Sequence, residues 1–158
     1  LKDRLAADGG ALVVNTSSFG NLAGSVDLTD LDYERRRPFE LRCYGTSKLE
    51  NIMFTRGIAE RWRGDGIVSA AVHPGVVASS FGRDSAFIGL FYRTPLKRVG
   101  TITPEQGAQP LIELARRGAD PTINGVYFDR FKPNGRENRQ ARRRDLIDGL
   151  WAASESLI

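Results

Sequence analysis

The sequence of 158 residues predicts an α/β fold with a doubly wound parallel sheet. Short apolar runs that have the pattern of buried strands alternate with longer segments of helical periodicity, which favours parallel strands joined by right-handed crossovers. Polar residues follow the ends of these strands, where ligands of such sheets bind. The length and the 41% of hydrophobic residues fit one globular domain or a part of one.

The amino-terminal half is predicted to contain two helices and two strands. Residues 1–7 have the pattern of the last turns of an amphipathic helix, so we expect the chain to be part of a longer domain. Residues 11–16 form an apolar run between glycines and serines, which predicts a strand buried on both faces. An irregular connection at 19–39 leads to a helix over about 40–63 and to a second buried strand at 67–72.

The carboxyl-terminal half is predicted to contain two helices and one strand after a long segment without periodicity. That segment spans residues 76–102 and is rich in aromatic residues, as binding loops can be. The sequence TPEQ at residues 103–106 predicts a capped helix start, and this helix continues to about Arg117. A third strand is expected at 124–128 and an amphipathic helix at 138–154.

Several classes of protein are excluded by single residues or by missing runs. Cys43 is the only cysteine, which excludes a disulfide framework and a cysteine-based metal site and fits a reducing cytoplasm. His73 is the only histidine, so a histidine-based zinc site is excluded as well. No apolar run reaches the about 20 residues of a transmembrane helix. We therefore expect a cytoplasmic protein without a bound metal.

The formal charge of +4 is carried mainly by arginine, with runs at 35–37 and 142–144. Such runs are typical of solvated faces, and nucleic-acid binding is the alternative. The aromatic residues do not interleave with the basic runs, as a platform for stacked bases would require. The sequence therefore favours no nucleic-acid partner.

Tyr44 and Lys48 lie four residues apart near the start of the predicted long helix. This spacing puts both side chains on one face. An ammonium group held beside a phenol favours its ionised form, so the pair can act as proton donor and acceptor. The alternative is an exposed helix pair without a function.

Ser18 follows the first predicted strand, where its hydroxyl could polarise a substrate oxygen. The alternative for Ser17 and Ser18 is a capping or turn role, which is common for serine. A Ser-His-Asp triad is disfavoured because His73 precedes a proline and no Gly-x-Ser-x-Gly elbow occurs.

Three motifs follow one another along the chain. They are VVNTSS at residues 13–18, YGTSK at residues 44–48 and HPGVVAS at residues 73–79. Together they resemble the short-chain dehydrogenase/reductase family, and the longer string YGTSKLENIMFT at 44–55 is similar to its retinol-dehydrogenase-like branch. The resemblance covers essentially the whole chain, and it implies the carboxyl-terminal half of a Rossmann-type domain.

The resemblance also implies an activity and a set of catalytic residues. The expected reaction is an NAD- or NADP-dependent interconversion of an alcohol and a carbonyl group. Ser18 would hydrogen-bond the substrate oxygen, with Ser17 the weaker candidate, and Tyr44 would give or take the proton on that oxygen. Lys48 would favour the ionised form of the tyrosine and hold the nicotinamide ribose hydroxyls.

Further cofactor-binding residues are implied after the second strand. Pro74, Gly75 and the backbone of Val77 would border the nicotinamide, and Ser79 would lie near its carboxamide or the pyrophosphate. Residues 80–102 would then form a lid over the substrate. Apolar residues in this segment suggest a hydrophobic substrate, while packing in the core or on a neighbouring subunit of a homo-oligomer is the alternative.

The sequence lacks the glycine-rich turn, the Asn-Ala-Gly motif and the active-site asparagine of the family. We therefore interpret residues 1–158 as a partial nucleotide-binding domain without its amino-terminal half, in which the strand at 11–16 has an unpaired edge. The isolated chain is expected to bind NAD(P) very weakly. The choice between NAD and NADP stays open, as do different redox chemistry on the same residues, an epimerase, and a non-catalytic remnant or interaction module of this fold.

Overall fold

The structure, a computed structural model, describes residues 1–7, 9–77 and 101–157. Ser79 and most of the predicted lid at 80–102 lie outside the described residues. The elements are, in chain order, α1 (Lys2–Ala6), β1 (Leu12–Thr16), α2 (Glu40–Arg61), β2 (Val68–His73), α3 (Pro104–Arg117), β3 (Val126–Asp129), β4 (Lys132–Pro133) and α4 (Arg144–Glu155). Their alternation confirms the predicted α/β class.

The four strands form one sheet in the order β1-β2-β3-β4. β1, β2 and β3 run parallel, with Val72 opposite Thr16 on one side and Phe128 on the other. This arrangement follows from crossovers that return each strand in the same direction. β4 pairs antiparallel with β3 after a tight turn at Arg130, whose φ is +54°. The two residues of β4 are too few to show a strand pattern, and the sequence did not predict it.

β1 differs from the prediction that it is buried on both faces. All six residues of β2 are buried, whereas the first four residues of β1 are half-buried and the last, Thr16, is exposed. Among the described residues, only β2 pairs with β1, so β1 lies at the edge of the sheet. An apolar run specifies a strand but does not distinguish a central position from an edge.

Helices cover both faces of the sheet. On one face, α2 and α4 pack through a cluster of buried residues that includes Leu49, Ile52, Met53, Ala71, Tyr127, Leu146 and Ile147. On the other face, α3 contributes to a second cluster made of Val68, Ala70, Val72, Leu114, Ile123 and Phe128. Alternate residues of β2 therefore enter opposite clusters, as they do in a doubly wound sheet.

The predicted helix at 138–154 is divided into two parts. A 3₁₀ helix at Arg139–Arg142 is capped by the Asn138 side chain, which accepts a hydrogen bond from the Gln140 amide. Arg143 is extended, with a ψ of 112°, and α4 starts after it. Helical periodicity extends across the break because both parts present apolar residues to α2, so the pattern alone does not reveal it.

The basic run at 142–144 forms ion pairs within the chain. Arg142 binds Glu137, Arg143 binds Asp145, and Arg144 binds Glu60. The side chain of Glu137 is only 5% exposed, and both of its carboxylate oxygens also accept hydrogen bonds from Nη2 of Arg56. Within the run, Arg144 therefore links the carboxyl-terminal segment to α2 directly, and Arg142 shares Glu137 with Arg56 of α2. None of the described helices is long and apolar enough to cross a membrane.

The start of α3 confirms the predicted capping box. The Thr103 hydroxyl accepts a hydrogen bond from the Gln106 amide at 3.2 Å, and the Gln106 side chain accepts one from the Thr103 amide at 2.9 Å. Thr103→Ala is expected to lower the free energy of unfolding by about 1 kcal/mol because it removes one cap. Urea unfolding measures this loss, and Thr103→Ser, which keeps the hydroxyl, should lose less than half as much.

Candidate active site

The carboxyl ends of the three parallel strands bring three short segments to one edge of the sheet. Ser17 and Ser18 follow β1, Pro74 and Gly75 follow β2, and Arg130 follows β3. The Arg130 amide donates a hydrogen bond to the carbonyl of the last residue of β2 at 2.8 Å. The segments singled out from the sequence therefore meet where parallel sheets bind their ligands.

Ser17 and Ser18 have different surroundings. Ser17 is buried, and its hydroxyl donates a hydrogen bond to the Lys48 carbonyl at 2.7 Å. Ser18 is half-buried and caps a 3₁₀ helix at Phe19–Ala23, where its Oγ accepts a hydrogen bond from the Gly20 amide at 3.1 Å. A hydroxyl that accepts at its oxygen still has its hydrogen to donate. Among the described residues, the hydroxyl hydrogen of Ser18, unlike that of Ser17, therefore has no acceptor.

Tyr44 lies beside Ser18, and Lys48 lies beside Tyr44. A methyl group built on Gly20 would be 2.9 Å from Cε1 of Tyr44 and 3.5 Å from the Ser18 Oγ, so these two side chains approach a common point. The Lys48 Nζ is 5.6 Å from the centre of the Tyr44 ring and 3.5 Å from the Thr16 carbonyl oxygen. A hydroxyl, a phenol and an ammonium group are therefore brought together, although they come from segments 26 to 30 residues apart.

Three glycines that the sequence motifs did not single out allow this close approach. A Cβ on Gly45 would be 2.6 Å from the Gly20 carbonyl oxygen, and one on Gly24 would be 2.5 Å from the Gly45 carbonyl oxygen. The 3₁₀ helix after Ser18 thus packs on α2 backbone to backbone. Glycine is unfavourable inside a helix and often marks such a close contact. The position of Gly45 in a predicted helix was therefore a sequence signal for this packing.

The segment after β2 is fixed against the start of α3. Gly75 has a φ of +106°, which favours glycine, and Val77 forms a parallel bridge with Ile102. The side chain of Val77 also packs on Gly107, where a methyl group would come within 2.5 Å. Pro74, Gly75 and Val77 therefore border the edge that holds Ser18. Contacts of Ser79 lie outside the described residues.

Two other titratable groups lie near this edge. Burial lowers the pKa of the His73 imidazole, although the charge of Asp129 acts in the opposite direction. The lowered pKa favours a neutral ring. Burial, together with the charges of Asp129 and Glu137, raises the pKa of the Tyr127 phenol. Tyr127 therefore stays protonated near neutral pH and is unsuited to exchange protons with a substrate.

Comparisons with known proteins give close relatives for the whole chain. No family model matches it. The chain is 31% identical to retinol dehydrogenase 13 of Homo sapiens and 35% identical to retinol dehydrogenase 12 of Mus musculus, and each alignment covers all of the chain and 49% of the relative. An NADPH-bound carbonyl reductase from chicken fatty liver has the same fold, with a TM-score of 0.54 and 20% identity over 83% of this chain and 46% of that one. The chain thus spans about half the length of the curated relatives it matches.

Proposed function

We propose a function from the premise that this chain is homologous, over its whole length, to the carboxyl-terminal half of retinol dehydrogenases of the short-chain dehydrogenase/reductase family. The function is an NAD(P)-dependent interconversion of an alcohol and a carbonyl group on a hydrophobic small molecule. The observation that supports it most is the meeting of Ser18, Tyr44 and Lys48 at the carboxyl ends of parallel strands.

Ser18 and Tyr44 are proposed to act on the same substrate oxygen. The Ser18 hydroxyl donates a hydrogen bond to it and polarises the carbonyl group. In the reducing direction, the Tyr44 hydroxyl gives its proton to this oxygen as the carbonyl carbon accepts a hydride, and in the oxidising direction Tyr44 takes the proton back. The positive charge of Lys48 stabilises the phenolate that remains after the transfer.

The described residues suit the nicotinamide end of a dinucleotide. An ammonium group and a phenol at the carboxyl ends of parallel strands can bind ribose hydroxyls, and we assign this role to Lys48 and Tyr44. Pro74, Gly75, Val77 and Ser79 are proposed to border the nicotinamide ring. When bound, the nicotinamide supplies or accepts the hydride. NAD and NADP are both compatible with these residues.

A hydrophobic substrate is proposed from the sequence of the lid segment and from the relatives. Residues 80–102 contain Phe81, Phe87, Ile88, Leu90 and Phe91. Two relatives are named for retinol, an apolar alcohol. The substrate class is therefore an apolar alcohol and its aldehyde or ketone.

The proposal is tested with the whole protein, expressed from its complete gene, and with retinal and either NADH or NADPH. Lys48→Ala is expected to lower kcat about tenfold, since a charge at this distance from a phenol contributes about 1–3 kcal/mol at the dielectric of a protein surface. The KM for the cofactor should rise about threefold because the ribose loses a partner.

The matched control is Lys132→Ala, which removes an exposed lysine from β4 and should leave both constants unchanged. Wild-type constants in Lys48→Ala would contradict the role of Lys48. A wild-type protein without NAD(P)-dependent turnover on any apolar alcohol, aldehyde or ketone would instead favour a non-catalytic module of this fold.

A further inference from the structure

Asn21 is a fully buried polar residue three positions after Ser18. It lies in the 3₁₀ helix at Phe19–Ala23, and its side-chain amide donates a hydrogen bond to the Ser18 carbonyl at 2.8 Å. The same amide lies 3.4 Å from the Tyr127 hydroxyl. A buried amide is costly unless it is paired, so these contacts fix its orientation.

The other end of the Asn21 side chain binds the carboxyl-terminal segment. Its Oδ1 accepts a hydrogen bond from the Asn138 amide at 2.9 Å, and the Asn138 side chain donates to the Gly24 carbonyl at 2.9 Å. Asn138 also caps the 3₁₀ helix at Arg139–Arg142. Asn21 therefore connects the backbone of Ser18 to a segment 117 residues away in sequence.

We infer that Asn21 is a positioning residue that holds the Ser18 hydroxyl in place for the substrate through the Ser18 carbonyl. This inference rests on the proposed function of Ser18. Both the side-chain amide and the backbone amide of Asn21 donate to that carbonyl, the latter at 3.0 Å. Without the side chain, the backbone bond still forms the turn, but one of the two hydrogen bonds to the Ser18 carbonyl is lost.

A purely structural role predicts a different outcome from a positioning role. Loss of a structural hydrogen bond lowers stability and leaves the turnover of the folded protein unchanged. Loss of a positioning contact lowers kcat, because even a small displacement of a reacting group slows the reaction strongly. The binding of the cofactor stays intact. The comparison of kcat with KM therefore separates the two roles.

The first measurement compares Asn21→Ala with Asn124→Ala in the whole protein. Asn124 is a matched control because its side chain also makes two hydrogen bonds to the backbone, with Ser69 and Ala59, near the other ends of the strands. Asn21→Ala is expected to lower kcat about tenfold with the KM for the cofactor within about twofold, and Asn124→Ala should leave kcat unchanged. The kcat of Asn138→Ala should lie between those of the other two variants, because the backbone amide of residue 138 still binds Asn21. A wild-type kcat in Asn21→Ala would overturn the inference.

The second measurement does not depend on activity. The Gly20 amide is bound to the Ser18 Oγ, so its hydrogen exchange, followed by NMR without substrate, reports how well Ser18 is held. Exchange at Gly20 is expected to be about tenfold faster in Asn21→Ala and unchanged in Asn124→Ala. An unchanged rate in Asn21→Ala would overturn the inference. If the wild-type protein has no oxidoreductase activity, the proposed function fails, and this rate still decides whether Asn21 holds Ser18.

Discussion

Tyr44→Phe is expected to lower turnover about a thousandfold, within the range for loss of a general acid or base. The change removes only the phenolic hydroxyl, which we propose exchanges the proton with the substrate oxygen. The ring that packs on Gly20 and lies near the Lys48 ammonium is retained, so the fold of the edge should persist. The dissociation constant of the cofactor should rise only about threefold, because the ribose loses the Tyr44 hydroxyl but keeps the Lys48 ammonium group. Steady-state kinetics and calorimetric titration of NADH or NADPH into the whole protein measure the two quantities.

The control for this prediction is a tyrosine with a similar change and no proposed role. The Tyr33 hydroxyl is buried and makes no hydrogen bond among the described residues, so Tyr33→Phe removes an oxygen atom without breaking a hydrogen bond there. Its turnover should equal that of the wild type. Turnover of Tyr44→Phe within tenfold of the wild type would contradict the proposed mechanism.

The elements of the candidate site that could be predicted are those that depend on local geometry. The spacing of Tyr44 and Lys48 predicts one helix face, and the structure has Lys48 5.6 Å from the ring. Ser18 could be predicted to lie at the carboxyl end of a parallel strand, where such sheets bind their ligands. The resemblance to the dehydrogenase family, carried by the same residues, is confirmed by the relatives.

The remaining parts of the site depend on contacts that no local pattern encodes. Asn21 meets Asn138 across most of the chain. Asn21 lies in a predicted irregular connection and Asn138 at the start of a predicted helix, and neither pattern indicates the contact. The half-buried state of β1 depends on which strands surround it, and an apolar run is the same at an edge as in the centre. Gly45 gave a signal that could have been used, because a glycine in a predicted helix implies a close neighbour.

Gly45→Ala is expected to lower the free energy of unfolding by about 2 kcal/mol and to lower kcat about a hundredfold. In an open helix this change would stabilise the protein by about 1 kcal/mol, because alanine is the better helix former. Here the new methyl group would be 2.6 Å from the Gly20 carbonyl oxygen and 2.8 Å from the Gly24 nitrogen. Backbone atoms cannot rotate away, so the cost of overpacking, about 3 kcal/mol, exceeds the gain.

The loss of turnover in Gly45→Ala follows from the position of the segment that the new methyl group displaces. The segment that must move away from α2 contains Gly20, which contacts the Tyr44 ring and binds the Ser18 hydroxyl. A shift of about 1 Å between the two groups is enough for a hundredfold loss of rate. Gly64→Ala is the matched control, because a Cβ at Gly64 meets no atom within 4 Å and should change neither quantity. Urea unfolding and steady-state kinetics of both variants provide the measurement. If Gly45→Ala were as stable and as active as Gly64→Ala, the 3₁₀ helix would not pack on α2 as described, and the meeting of Ser18 with Tyr44 would lose its structural basis.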